Sequence, residues 1–359
     1  MQLGMFLMPC HPPERPLADG ARWDLDVIRR ADELGYTEAW IGEHFTVAWE
    51  PCPAPDLLIA QALMETSRIV LAPGAHLLPY HHPAELAHRV AYLDHLAQGR
   101  LMLGVGASGI PSDHALFCVD GAAGVNRKMM WEALDIILKL WTDPDPFVFK
   151  GDYWTVARPE PMVGGLMQSH IRPFQTPHPP IGIAALTPRS DTLRVCGQRG
   201  FMPLSLNLGD DYVRDHWEMV EEGAAEAGRV ANRSDWRVVR DVFVADTDEE
   251  AFRWAAASHM GRMTEEYFLP VIRAFGLISL LKHDQAVPDD EVTADYLMRN
   301  CWLVGSPDRV VARLEQLAAT TGGFGTLLQL SYDYIDDPGP WFHSMELMAN
   351  EVMPRVAHL

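Results

Sequence analysis

The sequence predicts an α/β protein built as a (β/α)8 barrel, the TIM-barrel class, with insertions. Short apolar runs alternate with amphipathic segments at roughly 30 residues per unit, the spacing of βαβ crossovers in a parallel sheet. The runs are continuously apolar, as strands buried on both faces must be. They number about eight, which lets the sheet close on itself without edges. An open doubly wound sheet is the alternative. Its Gly-x-Gly-x-x-Gly turn is absent after the first strand, where Met8-Pro-Cys-His-Pro-Pro13 stands.

The elements follow in order. Leu3 to Met8 is an apolar strand closed by Pro9. Trp23 to Leu34 has Leu25, Val27, Ile28, Ala31 and Leu34 at helical spacing and stops at Gly35. Thr37 to Gly42 is a strand, and Asp56 caps a helix through Met64. Arg68 to Pro73 is a strand, Pro83 to Leu96 a helix with proline in its first turn, and Arg100 to Val105 a strand. Asn126 to Trp141 is an amphipathic helix. Pro180 to Ala185, Phe201 to Leu206, Arg237 to Ala245 and Thr326 to Leu330 are strands. Helices are expected near Ser190–Gln198, Tyr212–Ala227, from Asp248, and over Pro307–Thr320 and Pro340–Val352. Three stretches break the rhythm: 107–125, 143–179 and 260–300. Gly151-Asp-Tyr-Trp154 reads as the turn of a small hairpin within the second. Long insertions in a barrel usually serve as lids or oligomer contacts.

Composition narrows the function. The chain of 359 residues carries 29 Lys+Arg and 49 Asp+Glu, a net charge of −20, which argues against nucleic acid or anionic membrane as a general partner. Its five cysteines are widely spaced, with no CxxC, so a disulfide framework is not expected and a reducing cytoplasm fits. The N-terminus has neither a basic region nor a long apolar core, so no signal peptide is read. No His and carboxylate cluster shows metal-site spacing.

Several segments then fall into a recognisable series. Glu38-Ala-Trp-Ile-Gly-Glu-His-Phe45 ends the second strand. Leu71-Ala-Pro-Gly-Ala-His-Leu-Leu-Pro79, His82-Pro83, Leu93-Asp-His-Leu-Ala-Gln-Gly-Arg100 and Leu103-Gly-Val-Gly106 follow. The series resembles the bacterial luciferase-like flavin-dependent monooxygenases. Gly42-Glu-His-Phe-Thr-Val-Ala-Trp-Glu50 and His76-Leu-Leu-Pro-Tyr-His81 are most similar to the diketocamphane monooxygenases, type II Baeyer–Villiger enzymes. Asp241 to Asp248, Trp302 to Asp308 and Glu351 to Arg355 extend the likeness along essentially the whole chain, 1–359, read as one such barrel domain.

The resemblance implies reduced FMN, supplied by a separate NAD(P)H:flavin reductase, and O2 as co-substrate of a small apolar, ketone-like compound. It also implies a homodimer. A deazaflavin (F420)-dependent hydride-transfer enzyme and a non-catalytic flavin-binding relative are the alternatives.

His44 stands at the carboxyl end of the second strand, where barrel active sites lie, and an imidazole there can exchange a proton near neutral pH. The resemblance makes it catalytic, with Glu43 orienting it; the plain alternative is a core histidine bonded to Glu43. Gly74-Ala75 follows the third strand, where small residues let a planar ring approach the backbone. The resemblance places a cis peptide there; a tight turn is the alternative. Gly106 and Ala107 follow the fourth strand. Ala107 stands where the resemblance expects a phosphate-binding arginine, so another cation is needed. Thr187-Pro-Arg-Ser190 opens a helix and is the candidate phosphate loop, through Thr187, Arg189 and Ser190. A simple Ser190 cap with a solvated Arg189 is the alternative. His11, Trp49, His76 and Trp154 are candidate substrate contacts, with Phe174 on the same face, while His81 and His82 begin the next helix. Arg100 reads as structural.

Overall fold

The computed structural model describes residues 1–359. Eight parallel strands form its frame: β1 (Gln2–Leu7), β2 (Glu38–Ile41), β3 (Val70–Pro73), β4 (Leu103–Gly106), β5 (Ile181–Ala185), β6 (Met202–Ser205), β7 (Arg237–Val244) and β8 (Thr326–Ser331). They run β3-β2-β1-β8-β7-β6-β5-β4 around the sheet. The two ends meet, because His76–Leu77 beyond β3 pairs in parallel with β4 and Leu71 bridges Leu101. This is the closed barrel that the alternation predicts, and the open sheet falls away. A further short strand, Leu303–Gly305, pairs with the end of β7.

Side chains fill the barrel floor. Glu38 of β2 and Arg237 of β7 form a bidentate pair at 3.0 and 3.0 Å, and the Trp40 indole donates to Glu38 at 2.8 Å. Such a buried pair is tolerable because the guanidinium also donates to the Asp235 carbonyl. Trp40 is 1% exposed. It fits because β4 and β5 carry glycines opposite it: a Cβ at Gly104 or Gly182 would lie 2.8 or 2.5 Å from the indole. At the same amino end Arg100 ties the carbonyls of Leu63, Thr66 and Ile69 together, the structural role expected of it.

The outer helices match their periodicity, with ends displaced by a few residues. The first runs Leu17–Leu34 and stops at Gly35, whose φ of 83° is left-handed. Asp56 is not a cap. The helix Pro55–Glu65 starts one residue earlier, and the Asp56 carboxylate pairs with Arg89 of Pro83–Ala97 at 2.5 Å. The last helix begins at Pro338 and continues through a wider turn over Met348–Val352.

The three insertions take different places. Residues 107–125 hold a short helix, Pro111–Leu116, beyond the carboxyl end of β4. Residues 143–179 hold the expected hairpin, Phe147–Lys150 against Thr155–Arg158. This second insertion is no lid: Gln175 bonds Asp94 and the Leu101 carbonyl, at the amino end of β4. Residues 260–300 form short helices, and Phe275 and Leu277 reach the cavity at the opposite end. No helix is long and apolar enough to cross a membrane.

Candidate active site

A cavity of about 420 Å³ opens at the carboxyl end of the barrel. Segments following six strands line it: Met8, Glu43-His44, Gly74-Ala75, Gly106-Ala107, Ala185 to Thr187, and Leu206. Ser190 and Thr192, Asn126 and Arg127, and Leu277 complete the wall. Of the sequence-expected residues, the fold thus gathers His44, Glu43, Gly74, Ala75, Gly106, Ala107, Thr187 and Ser190 around one space.

The wall is flat and apolar where small residues face it. The Gly74–Ala75 peptide is cis, as the resemblance implies. A Cβ on Gly74 would approach Trp40 to 2.8 Å, so the packing of the floor requires glycine there.

His44 sits between two carboxylates. Its Nδ1 lies 3.3 Å from Asp113 and its Nε2 3.4 Å from Glu50. Burial works against charge on the ring. The Asp113 hydrogen bond and the fields of Glu50, Asp113 and Glu43 outweigh it and hold the imidazole above its ordinary value. Asp113 is fixed in turn, its Oδ1 accepting from the Thr46 backbone N–H at 2.9 Å and the Thr46 hydroxyl at 2.5 Å. Glu50 accepts from the Tyr267 hydroxyl at 3.1 Å. The first insertion therefore reaches His44 directly, and the third reaches it through Glu50.

Glu43 does not orient His44. Its carboxylate lies 2.6 Å from His76 Nδ1 and 2.7 Å from His81 Nε2. Burial raises its pKa, but these two imidazoles outweigh that and pull it down to about 2. The three residues bring their ligand atoms within 4.8 Å of one another, a cluster no sequence spacing shows. Arg89 argues against reading it as a metal site. Its Nη2 lies 3.4 Å from His81 Nδ1, so that nitrogen accepts and Nε2 carries the proton facing Glu43. A ligating imidazole needs the reverse polarity.

The phosphate loop is only partly as expected. Ser190 precedes the helix Asp191–Arg199 and makes no capping bond, leaving hydroxyl and helix N–H groups free toward the cavity. The loop is pinned by Tyr212, whose hydroxyl donates to the Leu186 carbonyl, and by His216, whose Nε2 donates to Thr187 at 2.9 Å. Burial pushes His216 down to about 4, so it is neutral. Arg189, however, points to the surface and pairs with Glu218 and Glu222 at 3.1 and 2.7 Å. The cation on the cavity wall is Arg127, which is paired with no carboxylate.

The four candidate substrate contacts lie elsewhere. His11 is buried between Asp333 at 2.9 Å and Asp24 at 3.1 Å, which overcome burial and raise it to about 9. Trp49 stacks on Tyr267. His76 is taken up by Glu43. Trp154 ends the hairpin turn, its backbone N–H donating to Glu132 at 2.8 Å. Phe174 sits by His95, toward the other end of the barrel. The apolar wall is instead supplied by Phe6, Met8, Leu77, Leu186, Leu206, Phe275 and Leu277.

Residues 1–323 match the family model described as luciferase-like monooxygenase. The chain belongs to the luciferase-like monooxygenase family. As a member it is a flavin-dependent monooxygenase. It is 35% identical to 3,6-diketocamphane 1,6-monooxygenase of Pseudomonas putida, over 99% of this chain and 98% of that one. The solved oxygenating constituent of 3,6-diketocamphane monooxygenase from that organism, a type II Baeyer–Villiger monooxygenase in complex with FMN, superposes with a TM-score of 0.93. Identity there is 36%, covering 99% and 98% of the two chains. An F420-dependent secondary alcohol dehydrogenase, at 18% identity and a TM-score of 0.70 over 99% and 98% of the chains, shares the fold alone.

Proposed function

We propose that this monooxygenase is the FMN-using oxygenase component of a two-component system. It would take reduced flavin from a separate NAD(P)H-dependent reductase and deliver one oxygen atom of O2 to a small apolar ketone. The observation that carries the reading is the pairing, in one cavity, of the Gly74-Ala75 and Gly106-Ala107 walls with an unpaired arginine and a free helix N-terminus. A flat ring and a phosphate are the groups such walls suit.

Arg127, Thr187, Ser190 and Thr192 would hold the phosphate, Arg127 supplying the cation that Ala107 lacks and Arg189 does not bring. Bound and reduced, the flavin supplies the electrons that activate O2. The protein's own part is proton control and dryness. His44, whose charged form Asp113 and Glu50 favour, would offer a hydrogen-bond donor and, when protonated, positive charge to oxygen developing negative character. Its proton is shared with buried carboxylates rather than with bulk water. The apolar residues of the rim accept a hydrocarbon skeleton and keep solvent out.

The reading extends to assembly and location. Leu57, Met64, Tyr92 and Leu96 stand 53–86% exposed on the adjacent helices Pro55–Glu65 and Pro83–Ala97, a face suited to a second copy of the chain. Its five cysteines are all free, which suits a reducing cytoplasm.

Anaerobic titration with reduced FMN and reduced F420, followed by oxygen and a panel of cyclic ketones, tests the assignment. Tight binding of FMN and lactone or ester products are expected. Preference for F420, with hydride transfer in the absence of oxygen, would replace it.

A further inference from the structure

We propose that the protein carries a second site, on the outer wall of the barrel, built to hold a small phosphate or carboxylate anion. The site is a recess of about 200 Å³ between β7, the helices Asp210–Glu226 and Pro307–Thr321, and the end of the third insertion. That is smaller than the ~300 Å³ at which pockets for drug-sized ligands begin, so the group must be small.

Three cations face it: Arg240, Arg313 and Lys282. Arg240 is 2% exposed, and its guanidinium donates to the Val239 carbonyl at 2.9 Å and to Asp210 at 3.1 Å. Arg313 reaches toward the same Asp210 carboxylate, at 4.0 Å. Its Nε is shut off from solvent and has no acceptor. Two guanidiniums therefore share one carboxylate. Burial first, and the field of Arg313 in addition, hold Arg240 below the usual guanidinium range. Lys282 is nearly buried and has one partner, the exposed Asp289, at 2.5 Å. Asp211, the other acid on the wall, turns to Arg214 at 2.7 Å.

The wall of the recess thus carries three cations, Arg240, Arg313 and Lys282, against two acids, Asp210 and Asp211, in a chain whose net charge is −20. Arg189 and Arg262, on the acidic surface outside it, each find two carboxylates of their own. An oxyanion seated among Arg240, Arg313 and Lys282 would offset the repulsion between the guanidiniums. The recess backs onto the large cavity: Leu206 lines one and Asn207 the other, and Leu277 and Leu281 are divided in the same way. The site does not depend on the flavin reading.

The test titrates the protein, in saturating FMN and at constant ionic strength, with inorganic phosphate, with succinate, and with chloride as reference. Calorimetry and thermal unfolding are read together. Phosphate or succinate is expected to give saturable heat and a higher Tm, and whichever binds more tightly identifies the phosphoryl or carboxylate source. Lys282→Met and Arg313→Gln are each expected to weaken that binding at least tenfold. Arg189→Gln, which removes an ordinary surface-paired cation, leaves it unchanged. If Arg313→Gln does not fold, Lys282→Met decides alone. Heat no different from chloride, or binding untouched by Lys282→Met, overturns the proposal.

Discussion

Replacing Asp113 with asparagine isolates what raises the His44 imidazole above its ordinary value. The change is nearly isosteric at a residue with no solvent exposure. The amide oxygen can still accept from Thr46, whose N–H lies 2.9 Å from Asp113 Oδ1. The amide nitrogen then faces His44 Nδ1, where a carboxylate oxygen stood at 3.3 Å, so a donor meets a donor. A hydrogen bond to a charged group contributes about 1.5–3 kcal/mol. Loss of that much disfavours the imidazolium roughly ten- to hundredfold, since each 1.36 kcal/mol is a factor of ten. The sign follows from the raised imidazole: activity that needs His44 charged is present at low pH and lost as pH rises through its folded-state value. In Asp113→Asn that loss sets in at lower pH, and product formed per reduced flavin falls by up to that factor as pH rises past the variant's value. His44→Ala sets the floor, about 10²–10⁴ below wild type. The assay is a single turnover followed across pH, with the His44 ring nitrogens observed by NMR. An unchanged pH profile in Asp113→Asn, with unshifted His44 resonances, would refute the role given to the pair.

Three further outcomes follow from the geometry. Arg127→Met should weaken FMN binding by about 1.5–3 kcal/mol, whereas Arg189→Gln should change it little, because Arg189 is already engaged by Glu218 and Glu222; equal effects in a calorimetric titration would return the phosphate to Arg189. Glu43, held at about 2 against 4.5, contributes about 3 kcal/mol of stability that is present above pH ~4.5 and lost as pH falls toward 2. Glu43→Gln should therefore flatten acid unfolding over that range, measured by circular dichroism. If the face proposed above joins two copies, the wild type sediments as a dimer and Met64→Glu as a monomer in analytical ultracentrifugation, Met64 being 86% exposed there.

The frame of the molecule is legible because burial on both faces leaves mostly apolar runs; β7, with Arg237, Arg240 and Asp241, departs furthest from that and is legible by its length and its valines. His44, Gly74 and Ser190 are legible for a related reason: each follows a strand directly, so its position around the rim is set once the strand is placed. Asp113 is not, since it approaches His44 across 69 residues and from inside an insertion without periodicity. Arg127 and Lys128 adjoin in sequence, and only the register of the helix Val125–Thr142 decides which one meets the cavity. Arg189 misleads because Thr-Pro-Arg-Ser before a helix is a sound anion motif. The acids that capture it stand on another helix, about thirty residues on. The candidate substrate contacts misplace aromatic and imidazole groups for the same reason: Trp49 and His11 have long-range partners, Tyr267 and Asp333, that take them out of the cavity.

The tryptophan in the barrel floor has a bearing on traffic. Trp40, wedged against Gly104 and Gly182 above the Glu38–Arg237 pair, seals one end of the cylinder. What remains is a chamber closed on that side. Traffic is therefore confined to the carboxyl end, where loops and insertions that vary freely without disturbing the frame can set which molecules pass.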